Sequence, residues 1–263
     1  MQITLSALYR YPLKSGQAQV LRHSLVSPEG LALDREWMVA TPEGQYITAR
    51  THPQLVLVKA EPCDSGITFS APGMNDIFTP LSAFAMPQQA DVWENTFSAR
   101  SGAQELNHWI SAYLEQTAIV MWTGLEPHRR VKNHPDVPIR FVDGYPLLLI
   151  SEGSLAELNR QARQDFSMLR FRPNLVIRNA DAFAEDHWRR IRIGEVIFEL
   201  VKPCERCVLT IIDPDTAEKS PQQEPLRTLA KFRKFPAGVL FGQNMLARST
   251  GELRLGMAVE IFD

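Results

Sequence analysis

Two of the chain's three cysteines, Cys204 and Cys207, stand either side of Glu205 and Arg206 in the stretch KPCERCVLTIIDPD (Lys202 to Asp215). A C-x-x-C pair can be a redox dithiol, half of a zinc site, two buried small hydrophobes, or a ligand for something else. A dithiol of the thioredoxin kind opens a helix, whose N-terminus lowers the thiol pKa, whereas Cys207 leads into the β-branched run VLTII, which predicts a strand. A structural zinc ion takes four ligands, and Cys63 and the six histidines offer no second half-site spacing. Lys202 and Arg206 flank the thiols with positive charge, which favours thiolate, the form that binds a metal or attacks an electrophile. The turn-forming cluster that closes the run, from Asp213 to Thr216, is expected to set Cys207 near a loop entrance, where ligands often sit. On these residues alone the pair reads as a thiolate ligand at the start of a strand, with the packing alternative still open.

The elements that must carry this pair are mostly strands. Ile3, Leu5, Ala7 and Tyr9 alternate with the two-residue period of a half-buried strand. The runs WMVA (Trp37 to Ala40), QLVLVKA (Gln54 to Ala60) and GITFS (Gly66 to Ser70) follow, punctuated by SPEG and TPEG. This spacing predicts a meander or barrel in preference to βαβ units. Leu106, Trp109, Ile110, Tyr113 and Leu114 form one apolar helical face. The segment from Glu126 to Pro138, with three prolines and no period, reads as a linker or functional loop. Ser154 and Glu157 are spaced as a capping box opening a helix that runs to Arg163. The runs NLVIRN, VIFELVK and VLTII predict strands, and Pro225 is placed to begin a helix carrying Leu226, Leu229 and Phe232. Leu253, Leu255, Met257, Val259 and Ile261 alternate as one final strand. The expected fold is mainly β, of the α+β class, with two β-barrel-like domains over 1–125 and 126–263 and a few short helices.

At 263 residues the chain can bury a sizeable core without staples. Its composition, 44% hydrophobic and 22% charged with a net charge of -2, is that of a globular protein and excludes a globally basic nucleic-acid binder. No run approaches the length of a membrane span, and the first residues lack the pattern of a signal peptide. Sparse, odd-numbered cysteines fit a reducing compartment. The expectation is a soluble cytoplasmic protein without a nucleic-acid polymer or membrane as partner.

The wider context of the cysteines resembles a known family. CERCVLTIIDPDT, EPLRTLAKFR and LFGQN resemble the cysteine motif region of MOSC domains. YPLKS (Tyr11 to Ser15), LDREW (Leu33 to Trp37) and ITAR (Ile47 to Arg50) resemble the β-barrel domain that precedes MOSC in longer members. FRPNLVI, LLISEGSLAELN and AEDHWRRIRIGE complete a resemblance that spans nearly the whole chain. Within the family it resembles the mitochondrial amidoxime-reducing components and the bacterial MOSC/ferredoxin proteins that detoxify bases such as 6-hydroxylaminopurine.

That resemblance implies a molybdenum cofactor, a pterin dithiolene with a terminal phosphate. One protein thiolate would ligate the metal, and Cys207 is the matching position, with Cys204 a bystander. The implied cofactor-binding residues are Lys14, Ser15, Arg35, Arg50, Arg172 and Asn174, with Asp143 and Gly144 in FVDGYP presenting backbone groups from a tight turn. Arg35 can instead pair with Asp34 or Glu36, and Asn174 can instead bond backbone at a strand start. His187 and Trp188 are expected to cap or pack a short helical turn, and Tyr9, Tyr11 and Trp37 to lie in the core. The implied activity is reduction of small N-hydroxylated substrates to amines. No nucleotide fingerprint is present, so electrons must come from a separate ferredoxin or a flavin/NADPH reductase. The [2Fe-2S] domain of longer bacterial relatives is expected to be absent, because no four-cysteine cluster follows Cys207. The alternative within the same resemblance is a cofactor carrier or sulfur-transfer module with no reductase activity.

Overall fold

A computed structural model describes residues 1–262. Its first strand, β1 (Thr4–Arg10), buries Leu5 and Leu8, not the strict alternation expected. A bulge shifts the register between Leu5 and Ala7 against the partner strand, and one extra residue moves every later side chain to the other face. In chain order there follow β2 (Gln19–Leu21), β3 (Trp37–Ala40), α1 (Gln104–Leu114), β4 (Ile119–Trp122), β5 (Leu147–Ser151) and α2 (Glu152–Ala162). The last third supplies β6 (Leu175–Arg178), β7 (Arg190–Ile193), β8 (Val196–Glu205), α3 (Leu226–Phe232), β9 (Gly238–Ala247) and β10 (Val259–Phe262).

The main sheet runs β2-β1-β6-β5-β9-β8-β7-β10, so the first two strands of the chain join strands from its second half. The sheet curls far enough that Thr4 of β1 bridges Ala258 and the Val259 amide donates to the Ile3 carbonyl at 2.9 Å. A second, five-stranded sheet holds β3 and β4 with the hairpin Met86–Val92 and Asn95–Ser101. The architecture is therefore a mixed α+β fold with a half-barrel sheet and short helices. β5 and β6 are parallel and joined through α2, so one βαβ unit is present where the turn spacing favoured meanders. β5 is buried at every residue, as a central strand covered on both faces must be. Each of its leucines contributes about 1.5–3 kcal/mol of burial.

Several local expectations are corrected. VLTI is a 3-10 turn, Val208–Ile211, with Cys207 at its N-cap, so Cys207 follows strand β8 instead of starting one. Ile211 and Ile212 drive that geometry: both are buried in the core built by β3, β4 and α1, while Val208 stays exposed. PQLVL (Pro53–Leu57) is also a 3-10 turn, with the strand displaced to Lys59–Cys63. Helix α2 is capped by Ser151, whose Oγ accepts from the Ser154 amide at 3.0 Å; Ser154 lies inside the helix. The segment read as a linker folds into the hairpin Arg129–Val131 and His134–Ile139. The final alternating run is two strands, Gly251–Arg254 and β10, parted at Gly256 with φ +85. Tyr11 and Trp37 are buried as expected, and His187 ends the 3-10 turn Ala184–His187.

Candidate functional site

Three segments are tied together beside the half-barrel. The Lys14 amide donates to the Trp37 carbonyl at 2.7 Å, the Arg35 amide to Tyr11 at 2.8 Å, and the Phe141 amide to Arg35 at 3.0 Å. From the other side β8 arrives bent, with register shifts between Leu200 and Lys202 and between Pro203 and Glu205. Bulges and a proline at a strand end re-aim side chains. Between these elements lies a cavity of about 310 Å³, and all nine candidates line it: Lys14, Ser15, Arg35, Arg50, Asp143, Gly144, Arg172, Asn174 and Cys207. Ser15, Arg35 and Arg172 hold φ of 66, 50 and 54. Three non-glycine residues in this sparsely populated region around one cavity are the kind of strain that clusters at binding sites.

The basic groups are held differently. Burial pushes the Lys14 ammonium down to about 8, with the Asp143 carboxylate pulling it back up. The ammonium also donates to the Phe141 carbonyl at 2.8 Å and pairs with Asp143. Burial would push the Asp143 carboxyl up, but Lys14 and then Arg50 overcome it and hold it well below the usual carboxylate range. Arg50 Nη1 lies 3.6 Å from Asp143 and 4.0 Å from the Cys207 Sγ. Partial burial would lower the Arg50 guanidinium, yet Asp143 and the Cys207 sulfur raise it overall. Arg172 is lowered to about 10 by burial and by its neighbour Arg35. Both guanidiniums stack on Tyr11, at 4.2 Å for Arg35 and 4.1 Å for Arg172, so one buried ring spaces two like charges.

The two thiols separate. Cys204 Sγ accepts from Arg206 Nη1 at 2.9 Å and packs beside Phe171 and Phe241. Cys207 is exposed and faces Arg50. Among the described residues no three His, Cys, Asp or Glu side chains converge as a metal-binding set. Of the two carboxylates open to it Arg35 takes Asp34, with Nη1 at 2.5 Å, and its Nη2 donates to the Arg172 carbonyl at 3.3 Å. Asn174 bonds backbone, accepting from the Leu148 amide and donating to the Tyr9 carbonyl, each at 3.2 Å. It thereby ties β5 to β1 beneath the cavity. Asp143 and Gly144 form no tight turn; Asp143 contributes its carboxylate instead. Sequence reasoning gave Tyr11 as core only and passed over Thr48 and Asn244, which also line the cavity.

Comparison with known proteins gives the chain's family. The MOSC N-terminal beta barrel domain matches residues 2–117 and the MOSC domain matches residues 136–260. Mitochondrial amidoxime-reducing component 1 of Danio rerio is 32% identical over 97% of this chain and 83% of its own length. The Homo sapiens protein of the same name is 31% identical over 96% and 81%. Mitochondrial amidoxime reducing component 2 of Rattus norvegicus is 32% identical over 96% and 81%. The chain belongs to the amidoxime-reducing component family of MOSC proteins. Membership corrects one expectation: these family members are mitochondrial by name, and the cytoplasmic assignment does not stand. No helix among the described residues is long and apolar enough to cross a membrane.

The family's cofactor can be tested against these residues. Arg172 Nη2 and Arg206 Nε are buried without any partner, and both residues line the cavity. Leaving a buried charged donor unpaired is costly, and a phosphorylated, hydrogen-bonding ligand would satisfy it. One exposed thiol with no further protein ligands suits a metal whose other sulfurs arrive with the cofactor. The donor set fits.

Proposed function

We propose that this chain binds a molybdenum cofactor in the cavity through Cys207 and reduces small N-hydroxylated compounds to amines. The observation that supports it most is the convergence on one cavity of an exposed thiol and a cluster of cations, two of which, Arg172 and Arg206, hold a buried donor without a partner. Family similarity supports molybdenum-linked redox chemistry on N-hydroxylated compounds, with hydroxylamines, amidoximes and 6-hydroxylaminopurine as the finer substrate set. The barrel-like closure of each half belongs to the same reading.

Cys207 would supply the protein sulfur to the metal. Arg172, Arg35 and Lys14 would hold the phosphate and the polar pterin, arginine as a bidentate fork and lysine as a point charge. Bound there, the cofactor supplies oxygen transfer away from nitrogen. The net reaction takes R–NH–OH, two electrons and two protons to R–NH2 and water. Arg50, 4.0 Å from the Cys207 sulfur, would hold a fixed positive charge beside the reacting centre, where it favours developing negative charge. Asp143 fixes Arg50 and Lys14 relative to each other. The buried wall under Asn174 and Phe171 keeps bulk water from that side of the cavity. The two electrons would come from a separate ferredoxin or a flavin/NADPH reductase.

The test is turnover of benzamidoxime by cofactor-loaded protein with reduced viologen as artificial donor. Amine formation dependent on the loaded cofactor is the expected result. Full cofactor loading with no amine formed would refute the reductase and favour a carrier or sulfur-transfer module.

A further inference from the structure

The tip of the hairpin formed by Met86–Val92 and Asn95–Ser101 carries a residue that turn chemistry does not favour. Val92 pairs with Asn95, leaving Trp93 and Glu94 as a two-residue turn. Such turns select Asn, Asp or Gly, because their central residues need positive φ. Trp93 sits there at φ 55, a genuine outlier for so bulky a side chain. Its side chain is also 52% exposed, so core packing does not explain its presence. The pair next below the turn is tied down: Asp91 accepts from Gln45 Nε2 and from Thr96 Oγ1, each at 2.5 Å.

The indole reaches the cavity through Arg50 and Asp143, both of which line it. The Arg50 guanidinium lies over its ring at 4.9 Å, and the same guanidinium reaches to 4.0 Å from the Cys207 sulfur. Tyr46 lies 5.8 Å from the indole and carries Lys14 over its own ring, also at 5.8 Å. Trp93 is among the groups that hold the Asp143 carboxyl low. One guanidinium therefore connects an exposed aromatic face with the thiol, and the surrounding groups are the cations and carboxylate of the site.

We propose that Trp93 is the stacking wall that selects planar, conjugated N-hydroxylated substrates over flexible aliphatic ones. The substrate class rests on the reductase reading; the wall itself is a binding feature. A flat amidine or purine-like ring gains stacking on the indole, and its edge donors meet the Asp143 carboxylate. An sp3 alkylhydroxylamine can still donate to the carboxylate but has no ring to stack. Trp93 acts on binding and not on the chemical step, so its effect appears in KM.

The test uses cofactor-loaded protein and reduced viologen, which removes any protein donor from the assay, with benzamidoxime and N-methylhydroxylamine as the paired substrates. In Trp93→Leu the ratio of kcat/KM for the planar over the aliphatic substrate falls about tenfold or more, carried by KM, and Trp93→Phe restores most of it. A second readout needs no turnover: adenine quenches the tryptophan emission of the wild type, and this quenching disappears in Trp93→Phe. An unchanged ratio, equal loss for both substrates, or equal quenching in Trp93→Phe overturns the proposal. Trp93-dependent quenching in a protein that reduces neither substrate refutes the reductase reading and leaves the wall standing.

Discussion

Replacing Lys14 with Met reads out the electrostatics of the cavity directly. The Lys14 side chain is 7% exposed, and burial lowers its ammonium from 10.5 to about 8 despite Asp143. A depression of that size corresponds to roughly 3 kcal/mol of differential stability. The sign follows from proton counting. Between about pH 8 and 10.5 the unfolded chain still holds a proton on this lysine that the folded chain has released. Raising the pH through this window therefore favours the folded state, and the penalty is fully present below it. The assay is urea unfolding of cofactor-free wild type and Lys14→Met across the window. Asp143 keeps Arg50 at 3.6 Å in both proteins, so its contribution largely cancels in the difference. The stability of wild type minus variant should rise with pH by up to about 1.4 kcal/mol per unit, approaching about 3 kcal/mol in total. A flat or falling difference would refute the claim that the ammonium is held desolvated, and with it the account of a cavity that waits for an anion.

Two further outcomes test the scaffold. Gly242 in β9 has φ +81 and an added Cβ would lie 2.7 Å from Ile150 Cγ1 and 2.8 Å from the Leu149 carbonyl oxygen; Gly242→Ala should lower the unfolding free energy by about 2–4 kcal/mol, measured by urea titration. Ser151→Ala removes the cap of α2 and should cost about 1 kcal/mol by the same measurement, with cavity-lining residues undisturbed in two-dimensional NMR spectra.

What the sequence disclosed and what it hid follow from range. Contacts set by neighbours were readable: the apolar face of α1 and the strands in NLVIRN and VIFELVK. The motifs also brought the right residues to one place, since all nine candidates meet at the cavity. Features set by distant partners were not readable. VLTII has the β-branched composition of a strand, yet Ile211 and Ile212 are drawn into a core whose other buried members end at Trp122, far earlier in the chain, and that pull winds the segment into a turn. The bulge after Leu5 answers to β6, far along the chain. Asp143 looked like turn chemistry because its partner Lys14 lies 129 residues away. Tyr11 looked like core alone, because its two flanking arginines come from separate segments.

The central claim is that one sulfur of the pair holds the metal. Protein produced in a host that makes the molybdenum cofactor should carry near-stoichiometric molybdenum as wild type and as Cys204→Ala, and almost none as Cys207→Ala. Equal molybdenum in wild type and Cys207→Ala would contradict the assignment outright, and loss confined to Cys204→Ala would show that the other sulfur is the ligand.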